Sequence, residues 1–256
     1  MKANRIAALV LCVMGVLWGC SSGGGGNNGG GDNCADYNPV IDTANFPSTP
    51  LVDNQYFPLV PGTTFYYTNT ITEGTTITTQ DIQVAVTSDT KIILGVTCVV
   101  VRDVVYEGGT TNILEDTFDW YAQDKDGNVW YFGEDTTAFE SGQPPSKEGS
   151  WEAGVNGAKP GIVMWADPPA HINVPYRQEC LSEVAEDKAE VLSVTASATV
   201  PYNSGTTFTN CVQTKDYSDI EPEVIENKYF APGIGQVLTV TVQGGNEREE
   251  LVAITP

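Results

Sequence analysis

What most constrains this chain is a succession of β-branched and aromatic runs, each cut off by a glycine turn, with little between them that could wind into a helix. Thr63 to Thr72 reads TTFYYTNTIT, Glu73-Gly74 is a turn, and Thr75 to Thr87 alternates Ile82, Val84 and Val86 with polar neighbours. Such side chains fit a pleated surface, and alternation gives one dry face and one wet face. Lys91 to Glu107 is more continuously apolar and is broken by Gly95. It predicts either a long strand bent at a bulge or a central strand buried on both faces. Gly108-Gly109 turns the chain again. Thr110 to Gln123 and Asn128 to Glu134 then flank Asp124-Lys125-Asp126-Gly127, where glycine supplies the positive φ of a tight hairpin. Further runs cover Ala189 to Val200, Thr206 to Thr214, Glu226 to Phe230, Gly235 to Val242 and Glu247 to Ile254. The expected fold is all-β: an antiparallel meander forming a curved sheet, half-barrel or barrel, with a sandwich as the other solution.

One stretch breaks the pattern. From Asp135 to about Gln178, eleven prolines and glycines punctuate the chain, among them Pro144, Pro160, Gly161, Pro168 and Pro175. A long irregular loop anchored by Trp151 and Trp165 is expected there, and loops of that length in compact domains usually carry function or act as lids.

The first residues give an address. Lys2 and Arg5 precede an apolar run from Ile6 to Trp18, too short for an ordinary spanning helix and followed by Gly19-Cys20-Ser21-Ser22. This is the pattern of a secretory signal over residues 1–19. Leu17-Trp18-Gly19-Cys20 resembles the bacterial lipobox, which implies lipidation at Cys20, although Trp18 is bulkier than the usual residue. Residues 20–37 then form a Gly-rich tether, of which Ser21 to Asp32 alone would hold the folded part about 20 Å from the lipid. Residues 38–256 are expected as one domain. Ser21, rather than aspartate, as second mature residue resembles the signal for transfer to the outer membrane.

Without residues 1–19 the chain carries ten Lys and Arg against 33 Asp and Glu, a formal charge of −23. A field of that sign argues against nucleic acid and anionic head groups as partners. Its plainest meaning is a soluble surface.

Four cysteines, Cys34, Cys98, Cys180 and Cys211, remain for the exported domain. In an oxidising compartment they predict two disulfides from three connectivities. The preferred pairing is Cys180 with Cys211, both in late strand-like runs, and Cys34 with Cys98. Metal ligation is the weaker use, since His171 is the one histidine and no C-x-x-C occurs.

Tyr56-Phe57-Pro58-Leu59 with Pro61-Gly62-Thr63-Thr64, Thr90 to Cys98 (TKIILGVTC), Asp119 to Asp124 (DWYAQD), Gly127 to Glu134 (GNVWYFGE), Gly149 to Gly154 and Lys228 to Gly235 (KYFAPGIG) together resemble a family of uncharacterised exported bacterial β-rich proteins and lipoproteins. The likeness spans nearly all of residues 39–256. It implies a shared exported fold and no established activity. The chain departs from that family at Cys180 and Cys211, which favours their being one added bridge.

No catalytic constellation stands out. A Ser-His-Asp arrangement would rest wholly on His171, and no G-x-S-x-G occurs. Carboxylates such as Glu115, Asp116, Asp119, Glu134 and Glu152 are too abundant to mark a glycosidase pair. The acidic runs at Glu183 to Asp187 and Asp216 to Glu226 read as solvated loops. Asp124, Asp126 and Asn128 resemble the start of a calcium loop, but Gly127 falls too early and the closing glutamate is missing, so a hairpin tip is the simpler meaning. Trp120, Trp130, Trp151 and Trp165 cluster around one hairpin and the long loop. Most of that cluster is expected to pack the core, and part of it to line a cleft for an apolar or amphiphilic ligand. The expectation is a non-catalytic, lipid-anchored envelope protein that binds a small amphiphile or an envelope partner. A structural or calcium-stabilised protein comes second, and a hydrolase acting outside the cytoplasm third.

Overall fold

Strand-forming runs pair with their sequence neighbours almost throughout the computed structural model, which describes residues 34–256. The signal, Cys20 and most of the tether lie outside the described residues. The strands are β1 (Thr64–Glu73), β2 (Thr76–Ile93), β3 (Val96–Glu107), β4 (Ile113–Gln123), β5 (Val129–Ala138), β6 (Trp151–Glu152), β7 (Lys159–Met164), β8 (Pro175–Arg177), β9 (Glu179–Cys180), β10 (Asp187–Val200), β11 (Thr206–Ser218), β12 (Ile225–Ala231), β13 (Gly235–Gln243) and β14 (Glu247–Thr255). Three short 3₁₀ turns interrupt them.

All fourteen belong to one sheet in the order β8-β10-β11-β12-β13-β14-β1-β2-β3-β4-β5-β7-β9, with β6 added beside β5. Every ladder is antiparallel. The last strand pairs with the first, Phe65 opposite Ile254 and Asn69 opposite Glu249. The two ends of the order, β8 and β9, are consecutive in the chain and separated by Gln178 alone. The segment 175–180 therefore pairs with β10 through its first half and with β7 through its second. This partner switch draws the meander into a nearly closed barrel.

Two details of the sequence-based expectation are corrected. Leu94 and Gly95 make a tight turn, at φ of +51° and +81°, so Lys91 to Glu107 is a hairpin arm and a new strand rather than one bent strand. The supposed loop over 135–178 contains β6, β7 and β8. Pro160 and Gly161 hid β7, yet both lie within it, and Gly161 is required: a Cβ there would sit 2.4 Å from the Arg177 carbonyl oxygen and 2.5 Å from the Gln178 carbonyl carbon. A missing side chain lets the two edges of the barrel meet.

The cysteine pairing is also corrected. Cys34 bonds to Cys180, with Cα atoms 5.6 Å apart, and Cys98 and Cys211 are buried free thiols. The arm after the tether lies along the closure, where Lys159 Nζ donates to the carbonyls of Cys34 and Tyr37, and Tyr37 Oη donates to the Pro160 carbonyl. That course brings Cys34 to β9. Cys98 on β3 and Cys211 on β11 are six strands apart in the sheet, far beyond the span of a disulfide.

Candidate functional site

Inward-facing positions divide into an apolar part and an acidic part. Val86, Val99, Val101, Tyr121, Tyr131, Trp151 and Phe230 fill one region of the buried core. Elsewhere the buried residues include ten carboxyl groups and one lysine, Lys228. Asp103, Glu115, Asp119 and Glu134 alternate with apolar or threonine neighbours on β3, β4 and β5, as strand periodicity requires. Asp216 and Glu226 take buried positions of β11 and β12, and Glu247 and Glu249 are successive buried positions of β14. The expectation of solvated loops thus fails for Asp216 and Glu226: each lies in a strand and is at least nine-tenths buried.

Carboxylates are seldom buried unless paired, because desolvation opposes their charge. Burial is the largest influence on Asp103, Asp119, Glu134, Glu179, Glu226, Glu247 and Glu249, and it raises all of them. It pushes Glu226 up to about 8 and Glu249 up to about 7, against the opposing pull of Lys228. Asp119 and Glu134 are raised for the same reason and act together. Tyr131 Oη lies 2.8 Å from Asp119 Oδ1 and 2.8 Å from Glu134 Oε2. One phenolic proton cannot serve two carboxylates, so a proton resides on at least one acid. Lys228 Nζ lies 3.4 Å from Asp216 and 4.0 Å from Glu226.

At the closure, outside this acidic interior, lies a cleft of about 610 Å³, within the range of small-molecule sites. Its aromatic walls are Trp130 on β5, Trp165 after β7, His171 of the 3₁₀ turn, Tyr176 on β8 and Tyr217 on β11, with Tyr37 contributed by the arm. Trp165 and His171 stack in parallel at 3.8 Å, and Tyr176 meets Trp165 edge-on at 5.5 Å. Arg177 and Lys188 supply positive charge and share the Asp219 carboxylate. Two buried donors, Trp165 Nε1 and Tyr176 Oη, have no hydrogen-bond partner. A ligand fitting this cleft brings acceptors, a negative or carbonyl head, and an apolar body.

The four tryptophans singled out from sequence do not form one floor. Trp130 and Trp165 line the cleft. Trp151 is buried edge-on to Tyr131 at 5.2 Å, and Trp120 lies under Lys91, whose Nζ is 3.3 Å from the ring centroid. Asp124 closes its own hairpin: Oδ1 accepts from the backbone N–H of Asp126 and Asn128, and Oδ2 from Asn128 Nδ2 and Trp130 Nε1. Asn128 Oδ1 accepts from the Ala166 N–H. These oxygens are already committed to fixing Trp130 and the start of the next segment. Among the described residues no group of three or more His, Cys, Asp or Glu side chains is placed to hold a metal ion. Sequence reasoning missed Tyr176, Arg177, Lys188 and Tyr217, which the pairing of β8, β10 and β11 sets side by side, Lys188 opposite both Arg177 and Tyr217, and to which closure brings Trp130 and Trp165. The period-two placement of Glu226 with Lys228 and Phe230 in IENKYFA, and of Glu247 and Glu249 with Leu251 in EREELVAI, was the available signal for the acidic interior.

No protein-family model matches the chain, and no curated protein matches it. Two solved structures are similar over most of its length. A candidate lipoprotein from Parabacteroides distasonis ATCC 8503 is 11% identical, with 79% of this chain and 99% of that chain covered, at a TM-score of 0.41. A candidate exported protein with a YmcC-like fold from Bacteroides fragilis NCTC 9343 is 12% identical, with 81% and 100% covered, also at 0.41. Similarity at that level transfers neither residues nor activity to this chain.

Proposed function

We propose that this is a lipid-anchored protein of the bacterial envelope, directed to the outer membrane, whose closure cleft holds a small acidic amphiphile without transforming it. The observation that carries the reading is the pair of unpartnered donors, Trp165 Nε1 and Tyr176 Oη, in an aromatic cleft that also holds Arg177 and Lys188. Buried donors left unmatched cost about 1–3 kcal/mol each, a cost that an acceptor-bearing ligand removes. Two cations at one cleft also stand out in so acidic a chain. The membrane address rests on the lipobox-like Leu17 to Cys20 and the Gly-rich tether. Tyr37, on the cleft wall, lies three residues from Cys34, where the tether meets the barrel. The cleft would then sit within about 20 Å of the anchoring lipid.

Decanoate, titrated below its micellar concentration and followed by tryptophan emission, is the direct test. Saturable quenching at one site is expected, with affinity falling tenfold or more in Lys188→Met. A response linear in decanoate, or one unchanged in the variant, would sink the assignment.

A further inference from the structure

A second hollow has the opposite chemistry. It measures about 50 Å³ and lies beneath Phe57 to Leu59 of the arm and Ile234 to Gln236 at the start of β13. Asp103 and Gln236 line it, and they are 1% and 7% exposed. Neither carboxyl oxygen of Asp103 has a hydrogen-bond partner, nor has Oε1 of Gln236. The Gln236 amide is fixed by its nitrogen, which donates to Thr239 Oγ1 at 3.1 Å and to Glu249 Oε1 at 2.8 Å. Tyr67 Oη, also in the wall, donates to the Gln236 backbone carbonyl at 3.1 Å. The unmatched atoms are thus all oxygens, and with Asp103 ionised all of them are acceptors, the reverse of the closure cleft. Phe57 and Phe65 make adjoining wall apolar.

We propose that this cavity binds the ammonium group of a small aliphatic amine, with its N–H donors on Asp103 and Gln236 and its carbon tail against Phe57 and Phe65. Three features select that guest. Unmatched acceptors require a donor. Around Asp103 the charged groups are acidic: Glu115, Asp116 and Asp119 on β4 and Glu249 on β14, and such a field favours a cation. The volume admits roughly three or four water-sized groups, room for an ammonium with a short tail and too little for a bulky quaternary one. Burial and the neighbouring carboxylates hold Asp103 well above the usual carboxylate range. Binding therefore converts a neutral acid to a carboxylate: the ammonium keeps its proton, and the proton of Asp103 leaves to solvent.

The test uses the full chain and n-propylammonium chloride, with tetramethylammonium chloride and calcium chloride as separate arms at equal ionic strength. Calorimetry in two buffers of different ionisation heat counts the protons. Saturable binding of propylammonium with about one proton released, tightening from pH 6 to pH 8, is expected, with no matching response in the other arms. Asp103→Asn, nearly isosteric, should weaken it tenfold or more while decanoate binding at the closure cleft is kept. No saturable heat would mean a water-filled void, and an equal response to tetramethylammonium or calcium would mean a general cation effect. Either overturns the proposal, as does undiminished binding by the variant. Should Asp103→Asn fail to fold, the proton count on the unaltered chain decides.

Discussion

Gly161 shows how much of the barrel's closure rests on one absent side chain. Its backbone lies against Arg177 and Gln178, so a methyl group has nowhere to go without parting β7 from the 175–180 segment. Overpacking of that kind costs about 1–3 kcal/mol. Gly161→Ala should lower the denaturant midpoint accordingly, and an unchanged midpoint would mean the edges are looser than their contacts imply. The buried acids make a second residue-level prediction. Glu226 and Glu249 hold their protons up to about 8 and about 7 in the fold, whereas unfolded glutamate releases its proton near 4.3. Between those values the folded state binds more protons, so stability is greatest at the acid end and falls as pH rises through the folded values. Thermal unfolding should therefore occur at higher temperature at pH 5 than at pH 8.5; a rise over that interval would show that the carboxyls are ionised in the fold. Cys98, raised to about 12 chiefly by burial, should resist alkylation until the chain unfolds.

Among the elements, the 175–180 segment joins the two edges and is clipped to the arm by Cys34–Cys180. A bridge across 146 residues of separation removes roughly 5 kcal/mol of chain entropy from the unfolded state by the simple loop model, though measured effects run lower. Cys34→Ser/Cys180→Ser should unfold more readily, with amide exchange accelerated first over 175–180 and 159–164. Peptide mapping of the unreduced protein should find the 34–180 link and label only Cys98 and Cys211 of the domain's cysteines; a 180–211 or 34–98 link would refute the connectivity. The long strands were readable in the sequence because alternation and glycine turns act locally. β7 was not, because Pro160 and Gly161 speak against a strand locally and are tolerated only through tertiary contact. Connectivity was unreadable for a like reason: Cys34 meets Cys180 only through the arm's course along the closure, held by Lys159 and Tyr37.

In the molecule as a whole, the meander creates two hollows with complementary needs. The cleft at the closure presents unmatched donors and cations, and the inner cavity presents unmatched acceptors. Part of the cleft's aromatic wall was legible in advance, since Trp130 and Trp165 stood out in sequence. Its polar half was not, because Arg177, Lys188 and Asp219 lie in or just after β8, β10 and β11, three segments that only the register of those strands brings together. The acidic interior was overlooked because a strongly negative composition makes each carboxylate look like solvated surface; the period-two spacing on β12 and β14 carries the distinction.

The reading that this barrel carries an acidic amphiphile is tested most directly by native mass spectrometry of the full chain, released from the envelope in mild detergent, beside Trp165→Ala. Loss of the Trp165 indole removes both the wall and one donor of the cleft. Additional mass corresponding to an acidic amphiphile, present in the parent and absent from the variant, is the expected result. A bare chain in both preparations, or an adduct retained equally by Trp165→Ala, would contradict the assignment of the cleft.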